Sequence, residues 1–247
     1  MVFQSKLVQL LLVIVIFYLG QLNAWGVEPP FKILATHPPP YEFSSSNIEL
    51  KGFDIEVVFN RLNKPAKVEF LPWLRAVKIT YVGGAMALLS CAHNKTRDEY
   101  LYYSDPIRVC TDGYFLRKGY IDPNFGSIEA LRGQKIAAVL GYTTQLELEL
   151  QNLNLDHTSV LTAELALNIL IGKRIDVYYS AKEGNEFIAH QQDVSEKIKF
   201  HHYKSKDYHL CFSKKWPDSK TLLSEFNGSL ARLRTDGSYQ KIHNKYR

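Results

Sequence analysis

Residues 134–144 read QKIAAVLGYTT. Gln134 to Leu140 (QKIAAVL) reads as a strand with a buried apolar run at its centre. Gly141 punctuates it, and a helix follows to about Leu153. A strand that is apolar on both faces and feeds straight into a helix is the repeating unit of a mostly parallel sheet flanked by helices. Thr143 stands just past Gly141, at the helix start. It can serve as an ordinary N-cap, or its N–H and the helix N-terminus can face an anion. The two roles are compatible.

Outward from this stretch the same unit recurs. Phe31 to Thr36 (FKILAT) is a short apolar strand. A helical pattern then runs through Phe53, Val57, Val58 and Leu62, and Pro65 closes it. Val68 to Leu71 reads as a strand, Trp73 to Val82 as a helix behind Pro72, and Ala85 to Leu89 as a buried strand. The pattern pauses over residues 91–106 and resumes with an extended stretch, Val109 to Leu116. After 134–144 come a helix over Ala163 to Ile171, a strand over Ile175 to Tyr179 and a helix from about Glu183. Lys197 to Tyr203 and Tyr208 to Phe212 read as two strands. Two helices follow Pro217. The first places Leu222, Leu223, Phe226, Leu230 and Leu233 on one face and stops at Gly237. The strand–helix units fall into two sets, so we expect an α/β protein with two lobes.

The chain has 247 residues and a formal net charge of +5. Its first 24 residues have the layout of a secretory signal peptide: Lys6, an apolar run from Leu10 to Leu19, and a small residue at Ala24. The run is too short to span a bilayer. The alternative is an uncleaved N-terminal anchor. Cleavage removes Lys6 and no acid, so the charge falls to +4 over the remaining 223 residues. The basic residues form no stripe, which argues against nucleic acid as a partner. Cys91, Cys110 and Cys211 are three, so an oxidising compartment permits one disulfide and one free thiol, with the pairing left open. No Cys/His cluster has zinc spacing, and His201-His202 on a strand would point to opposite faces. No metal or other cofactor is expected.

From about Phe31 to Arg247 a series of short motifs falls in order. They are Pro40-Tyr41-Glu42-Phe43, Gly52-Phe53-Asp54, Thr96-Arg97 with Tyr103-Ser104-Asp105-Pro106, Ile128 to Gly133, Gly141-Tyr142-Thr143-Thr144, Gly172 to Asp176, and Leu233 to Tyr239. Each alone is weak; together, in order, they resemble the family 3 extracellular solute-binding proteins of the polar-amino-acid type. Leu71-Pro72-Trp73-Leu74-Arg75-Ala76 further resembles a Pro-Trp-x-Arg-Ala subgroup. The resemblance implies a type II periplasmic binding protein fold. Lobe 1 would comprise residues 25–106 and 208–247, and lobe 2 residues 107–207. Crossing strands near Ile107–Cys110 and Asp207–Leu210 would join them, and a small solute would be enclosed by hinge closure. It also implies a monomer in the periplasm that hands its ligand to the membrane subunits of an ABC importer.

The site residues follow from the same resemblance. Arg97 matches the family arginine that holds the ligand carboxylate, a role suited to a fork-shaped, permanently charged group. The competing reading is a surface ion pair with Asp98 or Glu99. Trp73 falls where the family places an aromatic wall; the alternative is a buried Trp at a helix start. Tyr41 is a similar candidate. Ser90, at a strand end, could donate to the carboxylate. Gly141 belongs to the loop that leads into Thr143. Arg75 is either a second anion contact or a helix-surface charge. One departure is informative. Counting five residues from Asp176 to the family's ammonium-binding acid reaches Ala181. An ammonium buried without an anionic partner is costly. The resemblance thus implies a small carboxylate that lacks the usual α-ammonium or presents it differently. The leading function is a non-catalytic binding protein. The alternative is a dehydratase-like enzyme on the same fold, for which Glu42, His37 and Glu183 are the acid–base candidates. A third is a detached sensor.

Overall fold

The computed structural model describes residues 30–36, 40–44, 50–59, 62, 65–121, 125–150 and 155–246. The signal-peptide region and His37 lie outside them. The strands are β1 (Phe31–Ala35), β2 (Phe43–Ser44), β3 (Leu50–Lys51), β4 (Ala66–Phe70), β5 (Ala87–Ala92), β6 (Leu101–Tyr103), β7 (Arg108–Arg117), β8 (Ile136–Val139), β9 (His157–Val160), β10 (Val177–Ala181) and β11 (Ile198–Ser213). The α-helices are α1 (Phe53–Phe59), α2 (Trp73–Tyr81), α3 (Thr143–Leu150), α4 (Ala163–Ile171), α5 (Lys182–Gln191), α6 (Ser219–Thr235) and α7 (Ser238–Lys245). Sheet order is β4-β1-β5-β11-β7-β10-β8-β9, with β6 pairing to β11 and a separate β2–β3 hairpin. It is a two-lobed α/β fold whose halves share one continuous ladder.

That continuity corrects one expectation. The two strands read at Lys197–Tyr203 and Tyr208–Phe212 are a single strand, β11. Its first part pairs with β7 from Ile198↔Arg117 to Tyr208↔Arg108, and its last part pairs with β5 and β6. The stretch between the two runs, residues 204–207, is polar. It is extended because ladder hydrogen bonds to β7 satisfy its backbone, with register shifts after His202 and His209. β6 and β9 carry too little apolar periodicity to be read as strands and were not expected.

Burial follows position in the sheet. β5 and β8 lie between neighbours and are buried along their whole length, which explains their unbroken apolar runs. On α6, Phe226, Leu230 and Leu233 face inward at helical spacing. The core clusters divide along the chain. Two draw only on residues 31–107 and 210–246, around Ile33, Val57, Phe212 and Phe226 on one side and Leu34, Leu88 and Leu101 on the other. Two draw only on residues 114–203, around Tyr114, Leu131 and Tyr179, and around Phe115, Leu167 and Tyr178. The first half is also cross-linked. Cys91 on β5 and Cys211 on β11 form a disulfide, which leaves Cys110 as the buried free thiol. No helix among the described residues is long and apolar enough to cross a membrane.

Candidate functional site

Where the two halves meet, a cavity of about 550 Å³ opens beside the crossing strands β7 and β11. Tyr41, Trp73, Ser90 and Arg97 line it from the first half. Tyr142, ahead of α3, and Thr143 and Thr144, in its first turn, line it from the second, together with Glu164, Ala181 and Asn185. Arg108, Cys110, Lys206 and Tyr208 contribute from the crossing strands.

Arg97 ends a 3₁₀ turn, Lys95–Arg97, whose start is capped by Asn94 accepting from the Thr96 amide at 2.8 Å. This turn aims the guanidinium inward, where Arg97 is 3% exposed. The surface pairing weighed above is not formed with Asp98, which pairs instead with His93 at 2.9 Å. The Arg97 Nη1 donates to the Ala92 carbonyl and Nη2 to the Gly141 carbonyl, each at 3.1 Å. The second bond reaches across the cleft. Trp73 Nε1 donates to the same Gly141 oxygen at 2.8 Å, and the Arg97 guanidinium lies 4.9 Å from the Trp73 ring centroid. Tyr142 meets that ring edge-on at 6.1 Å. Position 141 favours glycine because its φ is +78°; a Cβ there would also fall 2.2 Å from Leu74 Cδ2, the end of an exposed side chain that would have to shift.

The remaining candidates are distributed as follows. Thr143 is the first residue of α3 and accepts a hydrogen bond from Lys206 Nζ. Lys206 also pairs with fully buried Asp112 at 2.5 Å, and burial raises that carboxyl's pKa. Ser90 adopts φ +50°, an unusual value for a non-glycine residue, and donates to Asp54 Oδ2. Tyr41 stacks on Arg108, 3.4 Å from ring centroid to guanidinium carbon. Arg75 does not line the cavity. It is exposed, because two residues beyond Trp73 turns a side chain about 200° around the helix, away from the cleft. The surface alternative describes it.

A second buried arginine at the site was not singled out from the sequence. Arg108 is 7% exposed and its Nε donates to both oxygens of fully buried Asp54, at 3.0 and 3.1 Å. Its Nη2 reaches Ser90 Oγ at 3.4 Å, and Tyr208 covers its other face at 4.4 Å. Glu42, also fully buried, accepts from the Thr36 amide at 3.3 Å. Burial, with the nearby Asp54 charge second, pushes its carboxyl up to about 8. The hint in the sequence was a charge inside an otherwise apolar strand start, Ile107-Arg108-Val109-Cys110. No spacing rule links residue 108 to residue 54.

Away from the crossing strands, the second half presents mostly neutral groups; Glu164, in the first turn of α4, is the one acid that lines the cavity. Ala181 lines the cavity, and its carbonyl accepts from Asn185 Nδ2 at 2.6 Å. Glu183 does not line it. That carboxylate accepts from the Thr111 amide at 3.3 Å and from the Cys110 thiol at 3.2 Å. Burial pushes the Cys110 thiol up to about 12, so it stays protonated.

Solved structures of related shape agree with the fold. A histidine kinase sensor domain with similarity to periplasmic binding proteins superposes with a TM-score of 0.78 at 20% identity, covering 88% of this chain and 95% of that one. The arginine-, lysine-, histidine-binding protein ArtJ from Geobacillus stearothermophilus gives 0.74 at 15% identity, covering 88% and 95%. An ancestral amino acid-binding protein, a precursor of cyclohexadienyl dehydratase, gives 0.72 at 16% identity, covering 88% and 94%. Comparison with curated proteins returns no match. The family model for bacterial extracellular solute-binding proteins, family 3, matches residues 33–247. The chain therefore belongs to family 3 of the bacterial extracellular solute-binding proteins.

Proposed function

We propose that this chain captures a small carboxylate-bearing solute in the cleft and presents it, closed, to the membrane subunits of an ABC importer. The observation that carries the reading is an excess of positive over negative groups around the cavity. Arg97, Arg108 and Lys206 line the cavity against a single lining acid, Glu164; Arg108 is paired with Asp54 and Lys206 with Asp112, whereas Arg97 is held only by main-chain carbonyls, and Ala181 stands where the family's acid would be. Buried cations favour an anionic guest, and an unpaired ammonium would be penalised. In this reading residues 25–106 with 208–247 move as one lobe and 107–207 as the other. Ligand-driven closure requires tighter binding to the closed form. The Arg97 and Trp73 bonds to Gly141 are the kind of cross-cleft contact a closed form would add. A leader cleaved after Ala24 would place a monomer in the periplasm.

The enzyme reading draws on the dehydratase-precursor likeness. It is the weaker one, because Glu42 and Glu183 are held away from the cavity lining. Thermal-shift screening separates the ligand classes. Carboxylates without an α-ammonium are expected to raise the melting temperature. A strong shift with ordinary L-amino acids would sink the carboxylate part of the proposal. Turnover of the best-binding acid would revive the enzyme.

A further inference from the structure

Among the described residues, three side chains that line the cavity each carry a buried polar atom with no hydrogen-bond partner: Arg108 Nη1, Asn185 Oδ1 and Thr144 Oγ1. Those residues are 7%, 5% and 2% exposed. Nine buried side-chain atoms among the described residues lack a hydrogen-bond partner, and these three belong to residues that line one cavity, where a guest can supply the missing partner.

The rest of each group is committed. Arg108 Nε and Nη2 are held by Asp54 and Ser90, and Tyr41 and Tyr208 clasp its two faces. The guanidinium cannot swing, and Nη1 is the nitrogen left over. Arg97, in contrast, uses both terminal nitrogens on main-chain carbonyls. Across the cleft, Asn185 Nδ2 donates to Ser180 Oγ at 3.1 Å and to the Ala181 carbonyl at 2.6 Å. Reversing that amide would set its oxygen against the Ala181 oxygen, so the network fixes Oδ1 as the spare acceptor. An amide oxygen accepts from a hydroxyl or an amide N–H. It brings no negative charge to offset the desolvation of an ammonium.

We propose that Arg108 and Asn185 read the ligand as a pair. Arg108 Nη1 takes one carboxylate oxygen, and Asn185 Oδ1 takes a neutral donor on the same molecule. Thr144 Oγ1 is placed to serve the carboxylate as a second donor. The ligand class is a carboxylate bearing a hydroxyl or amide N–H where an amino acid carries its ammonium. Arg97 then acts chiefly as a cross-cleft clamp. This inference rests on the solute-binding reading above.

Calorimetric titration of the purified chain with three matched triplets tests it: lactate, alanine and propionate; 3-phenyllactate, phenylalanine and 3-phenylpropionate; malate, aspartate and succinate. In at least one triplet the hydroxy acid is expected to bind at least tenfold tighter than the amine. Asn185→Leu should bring the hydroxy acid to parity with the unsubstituted acid. Asn185→Asp should shift preference towards the amine. Arg108→Gln leaves Asp54 unpaired and can fail to fold. The double variant Asp54→Asn/Arg108→Gln, checked by circular dichroism, is therefore the anchor test, and it should abolish binding of every acid that the wild type binds. If that variant does not fold, the two Asn185 variants decide. Amines binding tighter than hydroxy acids in every triplet would overturn this pairing and leave a solute-binding protein standing. Failure of all nine compounds to bind the wild type would remove the carboxylate reading and this proposal together.

Discussion

The two halves that enclose the cavity are built differently. The first is braced by a disulfide between β5 and β11, and its fully buried Asp54 holds Arg108 at the start of the crossing strand β7, side chains 0% and 6% exposed. The second has no disulfide among its described residues, but it has a buried ion pair of its own on the crossing strands, Lys206–Asp112, whose side chains are 16% and 0% exposed. Its core is instead a run of contacting rings: Tyr114 touches Phe125, Tyr179 and Tyr203, and Phe115 touches Tyr178 and Phe200. Away from the crossing strands, its Arg117–Asp176 pair is partly exposed at 19% and 29%. The disulfide therefore braces one side of the cleft, contacting rings pack the other, and the buried pairs Arg108–Asp54 and Lys206–Asp112 are anchored on the strands that cross between them. A guest anchored by a fixed cation loses little in ordering the protein, which favours affinity.

The largest break in this contrast should come from the disulfide. It closes a separation of 120 residues. In the chain-entropy model such a link contributes about 4–5 kcal/mol. Urea unfolding of Cys91→Ala/Cys211→Ala should show a loss on that scale, whereas Cys110→Ala in the oxidised protein should lose far less. Equal losses would mean the brace is not where the stability lies.

Next comes the buried pair. Asp54→Ala strands Arg108 in a dry site and should cost about 3–5 kcal/mol. Asp176→Ala removes a partly solvated partner and should cost about 1 kcal/mol. Parity between the two, measured by chemical denaturation, would erase the proposed asymmetry.

A smaller effect is pH-dependent. Glu42 titrates near 4.5 when unfolded and at about 8 when folded. The folded state keeps a proton that the unfolded state releases. The Glu42 contribution is thus complete below about pH 4.5 and is lost progressively as pH rises to about 8. Glu42→Gln should flatten that decline and raise the melting temperature most above pH 7. An unchanged pH profile would show that Glu42 ionises normally.

The smallest expected effect belongs to the cross-cleft contact. Trp73→Phe keeps the ring but removes the bond to the Gly141 carbonyl, a loss of about 1 kcal/mol. It should appear in ligand affinity more than in the unfolding of either half. The reverse result would make Trp73 a core residue.

Much of the fold was legible because burial writes itself into runs. β5 and β8 are continuous apolar stretches, and α6 repeats its leucines at helical spacing, so type and order followed. The single strand β11 was not legible, since its middle is polar and is held extended by partners on β7. At the site, Arg97, Trp73, Tyr41, Ser90 and Thr143 all line the cavity, and Gly141 supplies the carbonyl that Arg97 and Trp73 share. Arg108, Asp54 and Asn185 escaped notice as site residues for one reason. Their significance lies in pairings that depend on folding: Asp54 and Arg108 are 54 residues apart, and Asn185 reaches its carbonyl partner only through a helical turn.

The most direct test of an anion-binding cleft without an ammonium site is the identity of what the protein carries. Molecules released by denaturing the freshly purified chain can be identified by mass spectrometry, with and without an amine-reactive label. The expected result is a stoichiometric small carboxylate that the label does not modify. A stoichiometric ordinary L-α-amino acid would contradict the account.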